Sequence, residues 1–409
     1  MDFGYDDTTR DLIERLEAFM EAFVYPAEQT FFQQRRDAED PWAPAPIVEE
    51  LKREARARGL WNLFLPRTHE YGAGLTNVQY APLAEITGRA LWIAPEALNC
   101  SAPDTGNMEL LALFGTDEQQ RRWLDPLLEG DIRSAFSMTE PDVASSDATN
   151  IATRITHDGD AYVIDGHKWW TSGAMSPRAA LLIVMGVTDP DAEPHRRQSM
   201  ILVPKDTPGV EVRRSMSVFG YTDGYHGGHA DIVYDNVRVP ASNLLGEEGD
   251  GFRIAQERLG PGRIHHAMRA VGMAERALDL MIERTSERST FGRPIVDHGV
   301  VQHWIAEARI KIEQVRLLAL KTAWLMDTIG NKSARIEISA LKVAAPDAAT
   351  WVIDRAIQAH GAGGLSQDFV LAEMYAVART LKIVDGPDEV HRMAIARRET
   401  RKARRPAMA

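Results

Sequence analysis

Apolar residues at Leu12, Leu16, Phe19 and Phe23 are spaced by four, three and four, which puts them on one helix face. A joint containing Pro41, Pro44 and Pro46 follows, and the pattern resumes over residues 47–60, with Gly59 placed to end the helix. Residues 77–90 and 116–128 read as helical too, separated by a loop that holds Pro95, Pro103 and Gly106. From about Ser134 the period shortens. Residues 161–164, 179–187, 200–203, 210–213 and 231–239 are short β-branched or apolar runs, punctuated by Asp-Gly, Pro-Gly and Asp-Asn turns. They predict a small antiparallel β domain of roughly one hundred residues. Beyond Gly249 the helical period returns. Ile264, Met268, Val271, Leu278 and Ile282 mark one long helix, and Trp304, Ile305, Ala308, Ile312, Val315 and Ala319 a second. A third covers residues 333–360, with Pro346 as its expected kink. Helices, then strands, then long helices define an α+β chain with segregated elements. The expected domains are 1–132, 133–245 and 246–409.

Charge and composition narrow the class. The 409 residues carry 47 Lys+Arg against 59 Asp+Glu, a formal charge of −12 that disfavours a nucleic-acid partner. Basic residues cluster only at 397–405, where a solvated tail is expected. The single cysteine, Cys100, excludes a disulfide framework and a cysteine-ligated cluster. The start has no basic signal-peptide region, and the apolar run 179–187 is too short to span a bilayer. A soluble cytoplasmic enzyme with no membrane partner is expected.

Common chemical signatures are missing. No G-x-G-x-x-G follows a strand, and there is no Walker A sequence, G-x-S-x-G elbow or H-E-x-x-H. His226 and His229 flank two glycines but have no third ligand at a metal-site spacing, so they read as exposed imidazoles with no metal. His265 and His266 are adjacent and cannot share a helix face.

Four separated segments do carry compatible chemistry. In Phe136 to Asp147, a Thr-Glu-Pro turn followed by small hydroxyl residues offers N–H and O–H donors to a heteroaromatic edge or a phosphate. Lys168, Trp169, Trp170, Thr171 and Ser172 set flat apolar walls beside hydroxyls, with Trp169 read as core. Arg288 sits in a helix-breaking stretch, suited to a helix dipole or a pyrophosphate. Gln358 precedes a glycine cluster that admits close backbone approach. Asp385, between apolar Val384 and Gly386, reads either as a turn-initiating residue or as a partly desolvated general base.

Together these residues resemble the acyl-CoA dehydrogenase family over essentially the whole chain. Thr139-Glu140-Pro141, Gly166 to Trp170, Arg288 to Gly292, Gln358 with its glycines, and Asp385-Gly386 stand in the family's order. Met138 to Ser146, Trp169-Trp170 and Asp385 to His391 look like the subfamily of members ten and eleven, whose animal forms add a kinase-like domain. No such domain is expected here, so a separate enzyme would supply that activity. The resemblance implies a helical N-terminal domain, a central β domain, a C-terminal four-helix bundle and FAD as cofactor. It implies flavin contacts for Phe136, Met138, Thr139, Trp170, Thr171 and Ser172, and a pyrophosphate contact for Ser145 or Ser146. It also implies cofactor contacts for Arg288, Phe291, Gln358, Gly361, Ala362, Pro387 and Glu389, those of Arg288 and 358–362 reaching the FAD of a neighbouring subunit in a homodimer or homotetramer. Ser146, Arg263 and Gly386 would line the acyl-CoA path. Asp385 would be the catalytic base, one methylene shorter than the family's usual Glu. The alternative base position, before Arg263, holds Gly262 and cannot serve. The implied reaction is α,β-dehydrogenation of an acyl-CoA, with an electron-transfer flavoprotein as acceptor. An oxidase on the same fold and a non-catalytic acyl-CoA-binding protein are its rivals.

Overall fold

The computed structural model describes residues 4–65 and 72–403, with every side chain among them except those of 259–261, 402 and 403. The chain folds as a helical N-terminal region, a central β sheet and a C-terminal bundle of long helices. Its contacts group into two compact units. One comprises Phe19–Leu75 and Trp92–Leu259; the other comprises Met1–Ala18, Thr76–Leu91 and Gly260–Ala409.

The first unit holds the sheet: β1 (Arg133–Ser137), β2 (Arg154–Asp158), β3 (Ala161–Ser172), β4 (Ala179–Val187), β5 (Gln198–Pro204), β6 (Val210–Met216), β7 (His229–Pro240) and β8 (Leu244–Leu245). Their order is β6-β7-β3-β2-β4-β5-β8, with β1 added beside β4. Strand β4 matches its predicted run end to end, because it is buried along nearly its whole length and its apolar residues are continuous. β1 and β2 had no such signal. In β1 two of the buried residues are serines, Ser134 and Ser137, and in β2 only Ile155 faces inward. β1 also runs parallel to β4, so the sheet is mixed, not purely antiparallel. Ile155, Ile164, Leu182, Val184, Ile201, Val203, Ile232 and Tyr234 form its core.

The helices of this unit show how local chemistry decides ends. Helix Pro46–Ala57 closes as the sequence predicts: Gly59 takes φ +64°, its N–H reaches Arg56 O at 3.0 Å, and Leu60 N–H reaches Ala55 O at 3.0 Å. The segment expected to be a loop around Pro95, Pro103 and Gly106 is instead largely helical, with helices Ala94–Ala97 and Asp104–Phe114. Each proline sits at a helix start, where its missing N–H costs nothing. Near the N-terminus a π turn, Met20–Val24, follows helix Asp7–Phe19. The wider turn slips the apolar face, so Met20 and Val24 are buried while Phe23 is half-buried and stacks on Phe19.

The second unit contains helix Asn77–Gly88, the C-terminal part of helix Gly251–Glu287, and helices Gly299–Ile329, Asn331–His360, Leu371–Thr380 and Asp388–Ala403. Ile264, Met268, Val271 and Leu278 are buried as predicted, whereas Ile282, near the end of its helix, is exposed. Ala308, Ile312, Val315 and Ala319 are buried, with Trp304 and Ile305 half-buried before them. Arg397, Arg398 and Arg401 continue the last helix instead of forming a tail; Arg404 and Arg405 lie outside the described residues.

Two glycines bring helix Asn77–Gly88 against helix Gly251–Glu287. A Cβ on Gly88 would stand 2.3 Å from Arg269 O, and one on Gly272 2.0 Å from Glu85 O. Around this contact Arg309 donates to both oxygens of Glu275 at 2.7 and 2.9 Å, and Arg316 reaches Glu85 and Glu275. Backbone cannot yield as a side chain can, so Gly272→Ala is expected to cost about 3 kcal/mol or more by overpacking. Chemical denaturation would show it as a lowered midpoint, and an unshifted midpoint would refute the packing argument.

Candidate active site

In the sheet unit the predicted ring-facing segment is built around a buried ion pair. Lys168 is fully buried on β3, and its Nζ donates to Met138 O at 2.7 Å and to Glu140 Oε1 at 2.8 Å. Burial, only partly opposed by Glu140, pushes the Lys168 ammonium down to about 8. Burial works against the Glu140 carboxylate too, but Lys168 and hydrogen-bond donors hold it below the usual range. Those donors include the backbone N–H groups of Ala152 and Thr153, at 2.8 and 2.9 Å. Trp169 N–H adds a bond to Thr139 O at 3.0 Å. Glu140 is therefore an internal strut, and the turn leaves Met138 and Thr139 half-buried.

The two serines behave differently. Ser145 Oγ accepts from Glu140 N–H at 2.9 Å and closes the turn, whereas Ser146 is exposed. On β3 the register slips between Lys168 and Thr171, and Trp170 takes a left-handed φ of 53°. This bulge breaks strand alternation and turns the Trp170 ring outward, 37% exposed. The Thr171 side chain points inward, its hydroxyl 3.3 Å from Ser137 Oγ, which also receives the Tyr234 hydroxyl at 2.9 Å. Ser172 Oγ lies 2.8 Å from His229 Nδ1, and His229 Nε2 lies 2.9 Å from Asp223 Oδ2. The carboxylate fixes the Nε2–H tautomer, so the Ser172 hydroxyl donates. His229 is thus a satisfied, mostly buried link beside Trp170, and His226 is half-buried; the expectation of exposed imidazoles is corrected.

Behind the half-buried Phe136 lies a second polar group that sequence reasoning passed over. The Arg258 guanidinium sits 4.3 Å over the Phe136 ring and donates to Asn107 Oδ1 at 3.0 Å. Glu109, two residues further along helix Asp104–Phe114, is buried, and burial pushes its carboxyl up to about 8 despite Arg258.

In the bundle unit Asp385 follows helix Leu371–Thr380 in a left-handed conformation, φ 56°, before Gly386 at φ +99°. Its carbonyl accepts three bonds: from Arg263 Nε at 3.1 Å, Arg263 Nη2 at 3.0 Å and His391 Nε2 at 3.2 Å. Burial, with Arg263 and Lys342 nearby, pushes His391 down to about 4, so it is neutral and donates through Nε2–H. Lys342 Nζ pairs with Asp388 at 3.5 Å. The Asp385 carboxylate, 15% exposed, lies on a small cleft with Arg263, His266, Lys342, Pro346 and Val384. His265 points the other way, buried against Tyr80. A Cβ on Gly386 would stand 3.2 Å from His391 Nε2.

The remaining predicted residues stay on the surface of this unit. Arg288 and Gln358 are exposed, Phe291 is 94% exposed with φ 49°, and Gly361 (φ +65°) and Ala362 are exposed after helix Asn331–His360. Pro387 is half-buried and Glu389 exposed at the start of the last helix.

Three family models match consecutive stretches: the acyl-CoA dehydrogenase N-terminal domain at residues 6–131, the middle domain at 135–237 and the C-terminal domain at 249–400. The chain belongs to the acyl-CoA dehydrogenase family, a family of FAD-dependent oxidoreductases. It is 59% identical over 401 residues to FadE2 of Mycobacterium tuberculosis, named a "probable acyl-CoA dehydrogenase", covering 98% of this chain and 97% of that one. It is 52% identical to acyl-CoA dehydrogenase family member 11 of Mus musculus, covering 97% of this chain but only 51% of the mouse protein. A solved structure from Mycobacterium abscessus superposes with TM-score 0.95 at 50% identity, covering 98% of this chain and all of that one.

Two outcomes test the polar clusters. Lys168→Met strands the Glu140 carboxylate without its counter-charge and is expected to cost about 3–5 kcal/mol of stability, read by denaturation. An unchanged midpoint would show the pair is dispensable. Glu109 gives a pH signature. Between the unfolded carboxyl range and about 8 the folded state keeps a proton the unfolded state has lost, so stability falls as pH rises through that window. Glu109→Gln should remove this slope and be the more stable form at pH 8 by about 2–4 kcal/mol. Parallel stability–pH curves for the two proteins would contradict it.

Proposed function

We propose that the protein catalyses α,β-dehydrogenation of an acyl-CoA thioester to the trans-2-enoyl-CoA, with Asp385 as the base and an electron-transfer flavoprotein as electron acceptor. The observation that carries this reading is the construction of Asp385. Three donors hold its backbone carbonyl, while its carboxylate faces a cleft. A base held by its backbone keeps both carboxylate oxygens for the substrate proton.

The donor set fits FAD, which when bound supplies the acceptor for the β-hydride. A flat, outward-turned Trp170 beside the Ser172 hydroxyl suits a ring, and the exposed Ser146 hydroxyl suits a phosphate. Because Ser145 is spent on Glu140 N–H, Ser146 is the residue we assign to the pyrophosphate. Phe136, Met138, Thr139 and Thr171 complete the ring contacts, Thr171 through its backbone, since its hydroxyl is turned inward. Pro387 and Glu389 flank the base as further cofactor contacts. Arg288, Phe291, Gln358, Gly361 and Ala362 are exposed, as residues reaching the cofactor of a second copy must be, so we read the enzyme as a homodimer or homotetramer. Arg263 and Gly386 bound the acyl-CoA path, and the N–H of Asp385 polarises the thioester carbonyl, an effect typically worth about 3 kcal/mol. The three matched models support the division 1–132, 133–245 and 246–409. The likeness to family member 11 supports longer or 4-substituted acyl groups. A lone buried cysteine suits a reducing cytoplasm, and among the described residues no helix is long and apolar enough to cross a membrane.

Asp385→Asn preserves size and removes the base. FAD content and acyl-CoA binding should persist while anaerobic flavin reduction slows by about 10²–10⁴-fold or more. Near-normal reduction in that variant would overturn the assignment. Rapid reoxidation of the reduced wild-type enzyme by oxygen would point to an oxidase instead.

A further inference from the structure

Ser172, His229 and Asp223 form one hydrogen-bonded line within the sheet unit. The register of β3 on β7 sets Ser172 directly opposite His229. Ser172 Oγ lies 2.8 Å from His229 Nδ1, and His229 Nε2 lies 2.9 Å from Asp223 Oδ2. The side chains of His229 and Asp223 are 13% and 7% exposed, so water competes little for either bond. Asp223 is itself held in place. It has a left-handed φ of 47°, and its carbonyl accepts from His226 N–H at 2.9 Å and from Gly228 N–H at 3.1 Å. A Cβ on Gly228 would stand 2.3 Å from Trp42 Nε1, so this turn is packed close against the indole. The Asp223 carboxylate can only accept, so Nε2 carries the imidazole proton and Nδ1 is the acceptor. A serine hydroxyl has one proton and two lone pairs. With the proton given to Nδ1, Ser172 offers only lone pairs in any other direction, and among the described residues no second side chain takes them up. The His229 ring also lies 5.3 Å from the outward-turned Trp170 ring, which places the line beside the predicted cofactor wall.

We propose that His229 and Asp223 are positioning residues that act through Ser172: they hold its hydroxyl proton and present its oxygen to the flavin ring as a hydrogen-bond acceptor. This rests on the reading of Ser172 as a ring contact. The ring is reduced by the hydride of the reaction proposed above; the substrate β C–H bond breaks with its electron pair, and a ring N–H bond forms. Reduction therefore adds N–H to the ring and removes a bare nitrogen acceptor. A group at the ring edge that can only accept favours the reduced form, whereas one that donates favours the oxidised form. A serine whose hydroxyl turned freely would donate to the oxidised ring. Ser172 is prevented from doing so by His229, and Asp223 acts at one remove by deciding which imidazole nitrogen carries the proton. The line raises the flavin potential without touching the substrate.

The test is the flavin midpoint potential of the holoenzyme, measured for the wild type, His229→Gln, Ser172→Ala and the double variant, with FAD content checked in each. Glutamine keeps a donor where Nε2 stands, toward Asp223, and has no acceptor where Nδ1 stands. His229→Gln should lower the potential by about 20–30 mV, which is about a five- to tenfold shift toward the oxidised ring. In the Ser172→Ala background the same substitution should add nothing, because the two residues act as one unit. An unchanged potential in His229→Gln, or a shift that persists without Ser172, overturns the proposal. A second readout needs neither turnover nor the His229 variant. Nitrogen NMR of the histidine-labelled holoenzyme, with His229 identified by its response to Ser172→Ala, should show a proton on Nε2 and none on Nδ1. A protonated Nδ1 overturns the proposal, since His229 would then donate to Ser172. Asp223→Asn, which tolerates the left-handed backbone, should give a mixture of the two tautomers, and an unmixed Nε2–H signal there would overturn the role of Asp223. If Ser172→Ala itself leaves the potential unchanged, the ring contact fails and the proposal falls with it. If Ser172→Ala lowers the potential and His229→Gln does not, only the positioning role fails.

Discussion

The buried Lys168–Glu140 pair is the contact on which the candidate segment of the sheet unit depends. A buried ammonium is tolerable only when its donors are engaged and its charge is matched. Lys168 meets that demand with the Met138 carbonyl and the Glu140 carboxylate, and Glu140 in turn gathers the N–H groups of Ala152 and Thr153. Three stretches of chain far apart in sequence are tied at one point. The turn that carries Met138, Thr139 and Ser146 is therefore not a free loop but a rigid edge, which is what positioning a ligand ring or a phosphate requires.

The bundle solves the matching problem by a different route. Asp385 adopts a left-handed conformation that costs a non-glycine residue about 1 kcal/mol or more. Three hydrogen bonds to its carbonyl, from Arg263 and His391, offset that strain and fix the peptide plane. Anchoring at the backbone differs in consequence from anchoring at the side chain. A carboxylate clamped by Arg263 would be a weak base; here the guanidinium is satisfied by the carbonyl and the carboxylate is left to the cleft.

Each unit also holds a buried titratable group that burial keeps neutral. Glu109 is kept protonated by burial beside Arg258, and His391 is kept neutral beside Arg263 and Lys342. In each case a neutral group avoids a second buried charge, and His391 keeps its bond to the Asp385 carbonyl.

The α+β class, the long helices and most strands were legible because hydrophobic period is a local property. A buried strand such as β4 must read as a continuous apolar run, and a bundle helix must repeat near 3.6 residues. Candidate chemistry was legible as residue type and order: Trp170, Arg288, Gln358 and Asp385 stand out before any fold is known. What the sequence could not show was which polar groups meet. β1 and β2 lack an apolar signature because their partners, not their own side chains, place them. Pro95 and Pro103 look like breakers until their positions at helix starts are seen. The bulge that turns Trp170 outward, the bond that closes Ser145 onto Glu140, the burial of His229 and the anchors of Asp385 depend on distances in space, between residues from five or six positions apart to 122. The chain alone determined period, class and the menu of reactive side chains. Only the tertiary structure decided which of those side chains are struts and which remain free, because hydrogen bonding and desolvation are set by neighbours in space and not in sequence.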